Sequence, residues 1–535
     1  MTMKRTIFAA GTAFLALVAV PALAHDAHEG HGNVGKVVFA NSCSPGVQAD
    51  LQRGVAMLHS FWYTAGEQTF RDVLAKDPTC AIADWGIAAL LMTNPLAGVG
   101  ANPKEAERAQ AAIEHARTIG AKTARERDYI DAIATYYQDW AQHKESERQA
   151  ARSKAFEALA ARYPKDDEAQ IFNALYIAGT QSQADQTFAA YGRAATILEK
   201  EYAKYPNHPG IAHYLIHVFD APPLAQRGVA AARRYAGLAP AAPHAQHMPS
   251  HIFTRVGAWE DSVAANRRAY QAAIPGNELG EAYHASDYAV YADLQLARDT
   301  DARADIANAF KVRIANRTLR PAAYAAAAMP ARYVLERGDW RAAMSLETTT
   351  GTVPYTEAIV WFARALGAAR TGDIAAAQEN AAHLGPLRQA LVDAKDAYWA
   401  TEVEVQQGTA AAWIALAQKR TDEAVALMRA AADLEDSHEK HIITPGRVLP
   451  ARELFGDMLL EAGKPADALK AYEASQQREP NRFRGYYGAA NAAAAAGDRR
   501  KAAAYFGKLL ALAKHADSSR PEIAQANAFM KKDIR

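Results

Sequence analysis

The chain has 535 residues, too many for one ordinary hydrophobic core, so its length implies several domains or an extended array of repeated units. Half of it is hydrophobic and 22% is charged, which excludes wholesale disorder. Sixty basic against 59 acidic residues give a formal charge of +1, no excess with which to neutralise nucleic-acid phosphates, and two cysteines exclude a disulfide scaffold or a Cys-ligated zinc ribbon.

The chain opens with Lys4 and Arg5, runs apolar from Ile7 to Leu23, and closes that run in Ala22-Leu23-Ala24. This is the pattern of a secretory signal peptide over residues 1–24, and it predicts an exported protein, periplasmic or secreted. No later stretch is long and apolar enough to span a bilayer. Residues 25–45 read as a leader; His25, His28 and His31 beside a new amino group could scavenge Cu(II), Ni(II) or Zn(II) weakly. In an oxidising compartment Cys43 and Cys80 are expected to form a disulfide; the other reading is two small core residues.

From residue 46 onward the sequence is helical in pattern, with almost no β-branched alternation. A 34-residue period runs through it: Gly463 to Gly497, Ala468 to Ala502, Tyr472 to Phe506 and Pro206 to Pro240. Partial copies occur at Gly54 to Asp77-Pro78, at Gly338-Asp339 and at Gly372-Asp373. These residues resemble the tetratricopeptide repeat family. The resemblance implies an all-α solenoid of helical hairpins, wound as a right-handed superhelix whose concave groove is lined by the first helix of each hairpin. It covers most of residues 46–535, and Arg320-Pro321 suggests a break between blocks 46–319 and 320–535.

The histidines are unevenly spread, with His208, His213, His217, His244, His247 and His251 close together. His213/His217 and His247/His251 are i,i+4 pairs, each projecting from one helical face, and the two pairs are 34 residues apart. They are the same positions in consecutive repeats. In the family that the chain resembles, those positions, with those of His244 and Asp220, face the ligand groove. Adjacent first helices lie about 8–10 Å apart, so imidazoles reaching inward from both could converge.

Three readings stay open. The lattice could bind Zn, Cu, Ni or Fe through His213, His217, His247 and His251, with Asp220 ligating or orienting. It could hydrogen-bond a protein or peptide partner in the groove. Or the histidines could be structural, satisfying backbone carbonyls near Pro209 and Pro249. His59 could face the groove or the core, and His284 is a candidate fifth ligand. His438 and His441 read as a solvated loop. The stretch from Ala242 to Trp259, with His213 to His217 upstream, also looks like a group of bacterial exported tetratricopeptide-like proteins, which implies a fold and a site location but no reaction. No His-Glu-x-x-His helix, Gly-x-Ser-x-Gly elbow, Walker loop or dinucleotide fingerprint is present. Ser250 lies between two histidines with no identifiable oxyanion hole. The leading expectation is a scaffold that binds a protein partner in its groove, the alternative a His-ligated metal protein.

Overall fold

Short turns set the architecture. In Gly338-Asp339, Gly372-Asp373 and Gly497-Asp498 the glycine takes positive φ (63°, 85° and 85°), a conformation that costs a residue without Cβ little. The aspartate then caps the next helix, its side chain accepting the N–H of Ala342, Ala376 or Lys501. Each such dipeptide ends one helix and starts its antiparallel partner.

The aromatic of the second helix explains the small residues of the first. Phe70 lies over Gly54 of its own hairpin and Gly86 of the next; a Cβ at either glycine would stand 2.8 or 2.4 Å from its ring. Tyr472 repeats the arrangement between Gly456 and Gly488. The period is therefore a packing device: one ring bridges two hairpins only where both backbones present no side chain.

In the computed structural model, which describes residues 32–312, 320–348 and 353–533, these hairpins stack from Gln48 to the terminal helix Pro521–Asp533, with no strand among the described residues. The protein is an all-α solenoid of helical hairpins. The expected signal peptide and the leader histidines lie outside the described residues, as do residues 313–319 beside the expected break. The helix Arg320–Glu336 packs on Leu279–Gln295, so the hairpins stay in contact across that point. Cys43 and Cys80 are joined as a disulfide. No helix among the described residues is long and apolar enough to cross a membrane.

The stack curves until distant first helices touch. Gln48–His59 packs against Pro209–Val218, and Leu279–Gln295 against Phe483–Ala495. Residues 438–450 then run through the interior without helix and are buried throughout. The expectation that His438 and His441 lie in a solvated loop is therefore incorrect. Arg332, fully buried, donates to the carbonyls of Gly446 and Arg447 at 2.8 and 2.6 Å and pairs with Asp287 at 3.0 Å. Tyr288 donates to the Thr444 carbonyl at 3.0 Å. His438 pairs with Glu402 at 2.8 Å, and Tyr398 accepts the His441 backbone N–H at 2.7 Å. Lacking helical bonds, the backbone of this segment is satisfied by side chains from the surrounding first helices.

Candidate metal centre

Three consecutive first helices build the site. Pro209–Val218 begins with Pro209 at its first turn, where a missing N–H costs nothing, and is capped by His208. The next first helix is in two pieces, Pro243–His247 and Pro249–Arg255, because Pro249 has no N–H for the Ala245 carbonyl. The expected i,i+4 pair at His247 and His251 thus spans a break and not one continuous helix. Met248 keeps right-handed helical angles, φ −51° and ψ −37°, so the two rings still share a face. The third helix, Leu279–Gln295, carries His284.

The structure sorts six imidazoles into two triads. His213, His217 and His244 each offer a ligand atom, all within 4.8 Å of one another, and His247, His251 and His284 do the same. Each triad is an i,i+4 pair from one first helix plus a histidine from the start of the next. The triads adjoin, with ring centroids 5.9 Å apart for His217/His251 and 6.1 Å for His244/His247. Phe61 closes the far side, its ring 4.5 Å from that of His213.

Hydrogen bonds fix the ring proton in four of the six imidazoles. His213 donates its Nδ1–H to the His59 carbonyl at 2.6 Å. His247 donates Nδ1–H to Asn266 Oδ1 at 2.7 Å; the amide is oriented because its Nδ2 donates to the Ser262 carbonyl at 2.7 Å. His251 donates Nδ1–H to Asp220 at 2.8 Å, and His244 to Glu281 at 3.1 Å. In a neutral imidazole one proton at Nδ1 leaves a bare lone pair at Nε2. His247 and His251 therefore aim two bare Nε2 atoms at each other across 3.0 Å. The Nε2 atoms of His213 and His217 face each other at 3.1 Å. Nε2 of His244 and Nδ1 of His284 are buried with no hydrogen-bond partner. A tetrahedral ion with bonds of about 2.0–2.1 Å to nitrogen holds its ligands about 3.3 Å apart, close to both facing separations.

An added proton is a poor filler for these gaps. Burial, reinforced by His284, His251 and His244, lowers the proton affinity of His247 well below the usual histidine range; burial, then His217 and His244, does the same to His213. For Asp220, burial opposes ionisation, but Lys440, Arg255 and His251 outweigh it and hold the carboxyl well below the usual range. Burial brings Lys440 down to about 8 against the pull of Asp220, from which its ammonium is 3.4 Å.

A third cluster serves as an internal contrast. His59, Glu168 and His208 also lie within ligating distance, yet every ring nitrogen there is used. His208 Nδ1 accepts from Ile211 N–H at 3.4 Å and its Nε2–H donates to Glu168 at 3.0 Å. His59 donates Nε2–H to Glu168 at 2.9 Å and accepts from the Tyr214 hydroxyl, also at 2.9 Å. This cluster is a closed hydrogen-bond network. His59 is core, and through its carbonyl it anchors His213.

Of the residues singled out in the sequence, His213, His217, His244, His247 and His251 come together, and His284 joins them. Asp220 anchors His251 and sits behind the imidazoles. Ser250 is buried and bonded to Asn266 at 3.2 Å. Glu281, Asn266, Tyr288 and Lys440 were not anticipated. For two of them a signal existed: one further 34-residue step from His247 lands on Glu281, and one from Thr254 lands on Tyr288.

No protein-family model matches the chain, and no curated protein sequence matches it. Among solved structures, it is similar to the Cut9–Hcn1 hetero-tetramer of the APC/C, at 13% identity over 91% of this chain and 90% of that one, TM-score 0.34. It is also similar to the P58(IPK) TPR domain, at 14% identity over 69% and 99%, TM-score 0.22. Yeast Tom70 matches at 11% identity over 90% and 88%, TM-score 0.28. Similarity at this level carries no inference about fold or function; the hairpin architecture above rests on this chain's own helices.

Proposed function

We propose that this chain is an exported helical-hairpin protein whose buried histidine lattice holds a transition-metal centre. The observation that carries the reading is the pair His247 and His251, whose Nε2 atoms stand 3.0 Å apart while both Nδ1 protons are committed to Asn266 and Asp220. Two facing acceptors with no proton between them repel; a cation that accepts both lone pairs turns the same geometry into two coordinate bonds. The anchors also fit, since metal-bound histidines characteristically give their second N–H to a carbonyl or carboxylate. Imidazole suits Zn, Cu, Ni and Fe alike. Export is supported by the N-terminal pattern of residues 1–24 and by the Cys43–Cys80 disulfide.

Helical-repeat solenoids generally offer surfaces for protein contact. Here the interior beside the lattice is filled by residues 438–450, held by Arg255–Glu439 at 2.9 Å and Lys440–Asp220. A protein partner would therefore dock on another face or displace that segment.

The test is elemental analysis of untagged, full-length protein purified without added metal. The expected result is stoichiometric transition metal in the wild type, and its loss on His247→Ala with the helical signal retained. Metal-free protein that also fails to take up Zn(II), Cu(II), Ni(II) or Fe(II) on exposure would overturn the reading.

A further inference from the structure

Resting on the metal reading above, we propose that the lattice is a paired site for two copper ions, one in each histidine triad. The i,i+4 pairs of two adjacent first helices make a square, His213, His217, His247 and His251, which could share one ion. The geometry divides that square. Ring centroids within the two i,i+4 pairs are 4.8 and 4.9 Å apart, with facing Nε2 atoms at 3.1 and 3.0 Å, whereas the centroids of His217 and His251 are 5.9 Å apart. Each pair is completed by its own third histidine, and each of those thirds carries an orphaned buried nitrogen: Nε2 of His244 and Nδ1 of His284. A single ion in the middle of the square would leave both orphans unexplained; two ions use both.

The anchors are exchanged between triads. Asp220 follows His217 in the first triad's hairpin and holds His251 of the second. Glu281 lies in the helix of His284, in the second triad, and holds His244 of the first. One ligand of each triad is thus held by the other's hairpin, which ties the two sites together.

Charge points to the metal. Imidazole ligates a metal as the neutral base, so six such donors bring no charge, and among the described residues the anions bonded to them are Asp220 and Glu281. Asp220 already carries Arg255 at 2.7 Å and Lys440 at 3.4 Å. Little negative charge is left to offset an ion in this interior, and uncompensated buried charge is costly. Two divalent ions bring four positive charges; two Cu(I) ions bring half as many to ligands that copper accepts.

Anaerobic loading tests this. Untagged full-length protein is exposed to excess Cu(I), freed of loose copper with a bicinchoninate wash, and assayed for copper per chain. Two equivalents are expected in the wild type and one each in His244→Ala and His284→Ala, with zinc at equal concentration failing to displace them. One equivalent in the wild type overturns the paired site while leaving a metal centre in place; no copper and no other bound metal overturns both readings. Two equivalents of zinc replacing copper overturns the assignment of the metal. Because His284→Ala could lose its fold, the wild-type stoichiometry decides by itself, and His284→Gln, which keeps the volume, is run beside it.

Discussion

His251 gives its Nδ1–H to Asp220 at 2.8 Å, and the carboxylate that receives it comes from the hairpin before its own. That carboxylate also accepts from Arg255 at 2.7 Å, so one side chain orients a ligand and ties down a buried guanidinium. Asp220→Asn keeps the size and removes the charge. Loss of such an anchor typically costs 10–100-fold in metal affinity, and about that loss is expected here in a chelator competition. A folded Asp220→Asn protein with unchanged affinity would show that Asp220 serves Arg255 and Lys440 and not the metal ligand.

Arg332 governs the interior segment. Its guanidinium is fully buried, pairs with Asp287, and satisfies the carbonyls of Gly446 and Arg447. Burial pushes Asp287 up to about 6 even with Arg332 beside it, and removing the arginine would take the donor from the Asp287 carboxyl and from the Arg447 carbonyl, while the Gly446 carbonyl would keep the Thr444 hydroxyl. Breaking a buried pair of this kind costs about 3–5 kcal/mol. Arg332→Ala is expected to lower stability to denaturant by that order and to speed tryptic cleavage after Lys440 or Arg447, since the segment would open locally before the whole chain unfolds. Equal cleavage rates in wild type and variant would place the segment's stability elsewhere.

These two relationships mark what was readable in the chain. The hairpins were, because Gly-Asp turns and the glycines beneath Phe70 and Tyr472 are local requirements that recur with the period. The lattice was readable for the same reason, as a period in histidines. Glu281 and Tyr288 lie on the same 34-residue step and are hard to see because the other repeat residues fade there. The burial of His438 and His441 was not readable. Their neighbours are polar, and what buries them is closure of the superhelix, a long-range outcome that brings Tyr288, Arg332 and Tyr398 around a segment with no pattern of its own. The hydrogen-bond commitments that separate the two triads from the His59–Glu168–His208 network likewise depend on contacts between hairpins.

The Cys43–Cys80 bond ties the extended N-terminal segment to the start of the Ala81–Leu91 helix, 37 residues on. Asp77 reinforces the same corner: Ser44 N–H and the Thr79 hydroxyl both donate to it at 2.7 Å, which lowers its pKa to about 2. Closing a loop of that length restricts the unfolded chain by up to about 4 kcal/mol. A Cys43→Ser/Cys80→Ser double variant is expected to lose stability of that order in denaturant titration while retaining its metal, because the bond is remote from the lattice. Loss of metal in a folded double variant would contradict that separation.

His441 sets a pH response that can be isolated from the lattice. Its Nδ1 accepts from Ile443 N–H at 3.3 Å, and its ring packs against Trp399 and Tyr398. Burial, with Arg320 and Lys440 adding to it and Glu402 and a hydrogen bond to the Ala97 backbone opposing, lowers its pKa to about 4. The unfolded chain binds this proton at about 6.5. Between those values the unfolded state holds a proton that the native state does not, so acid favours unfolding. The contribution of His441 is complete above pH 6.5, declines as pH falls, and levels off below 4, with a slope of at most about 1.4 kcal/mol per pH unit. His441→Phe keeps an aromatic ring in the same packing and cannot titrate. Its unfolding free energy, measured beside wild type in the same buffers, should fall less steeply from pH 6.5 to 4, and the two curves should run parallel above 7. Parallel curves over the whole range would mean that His441 is protonated as easily in the folded protein as in the unfolded chain.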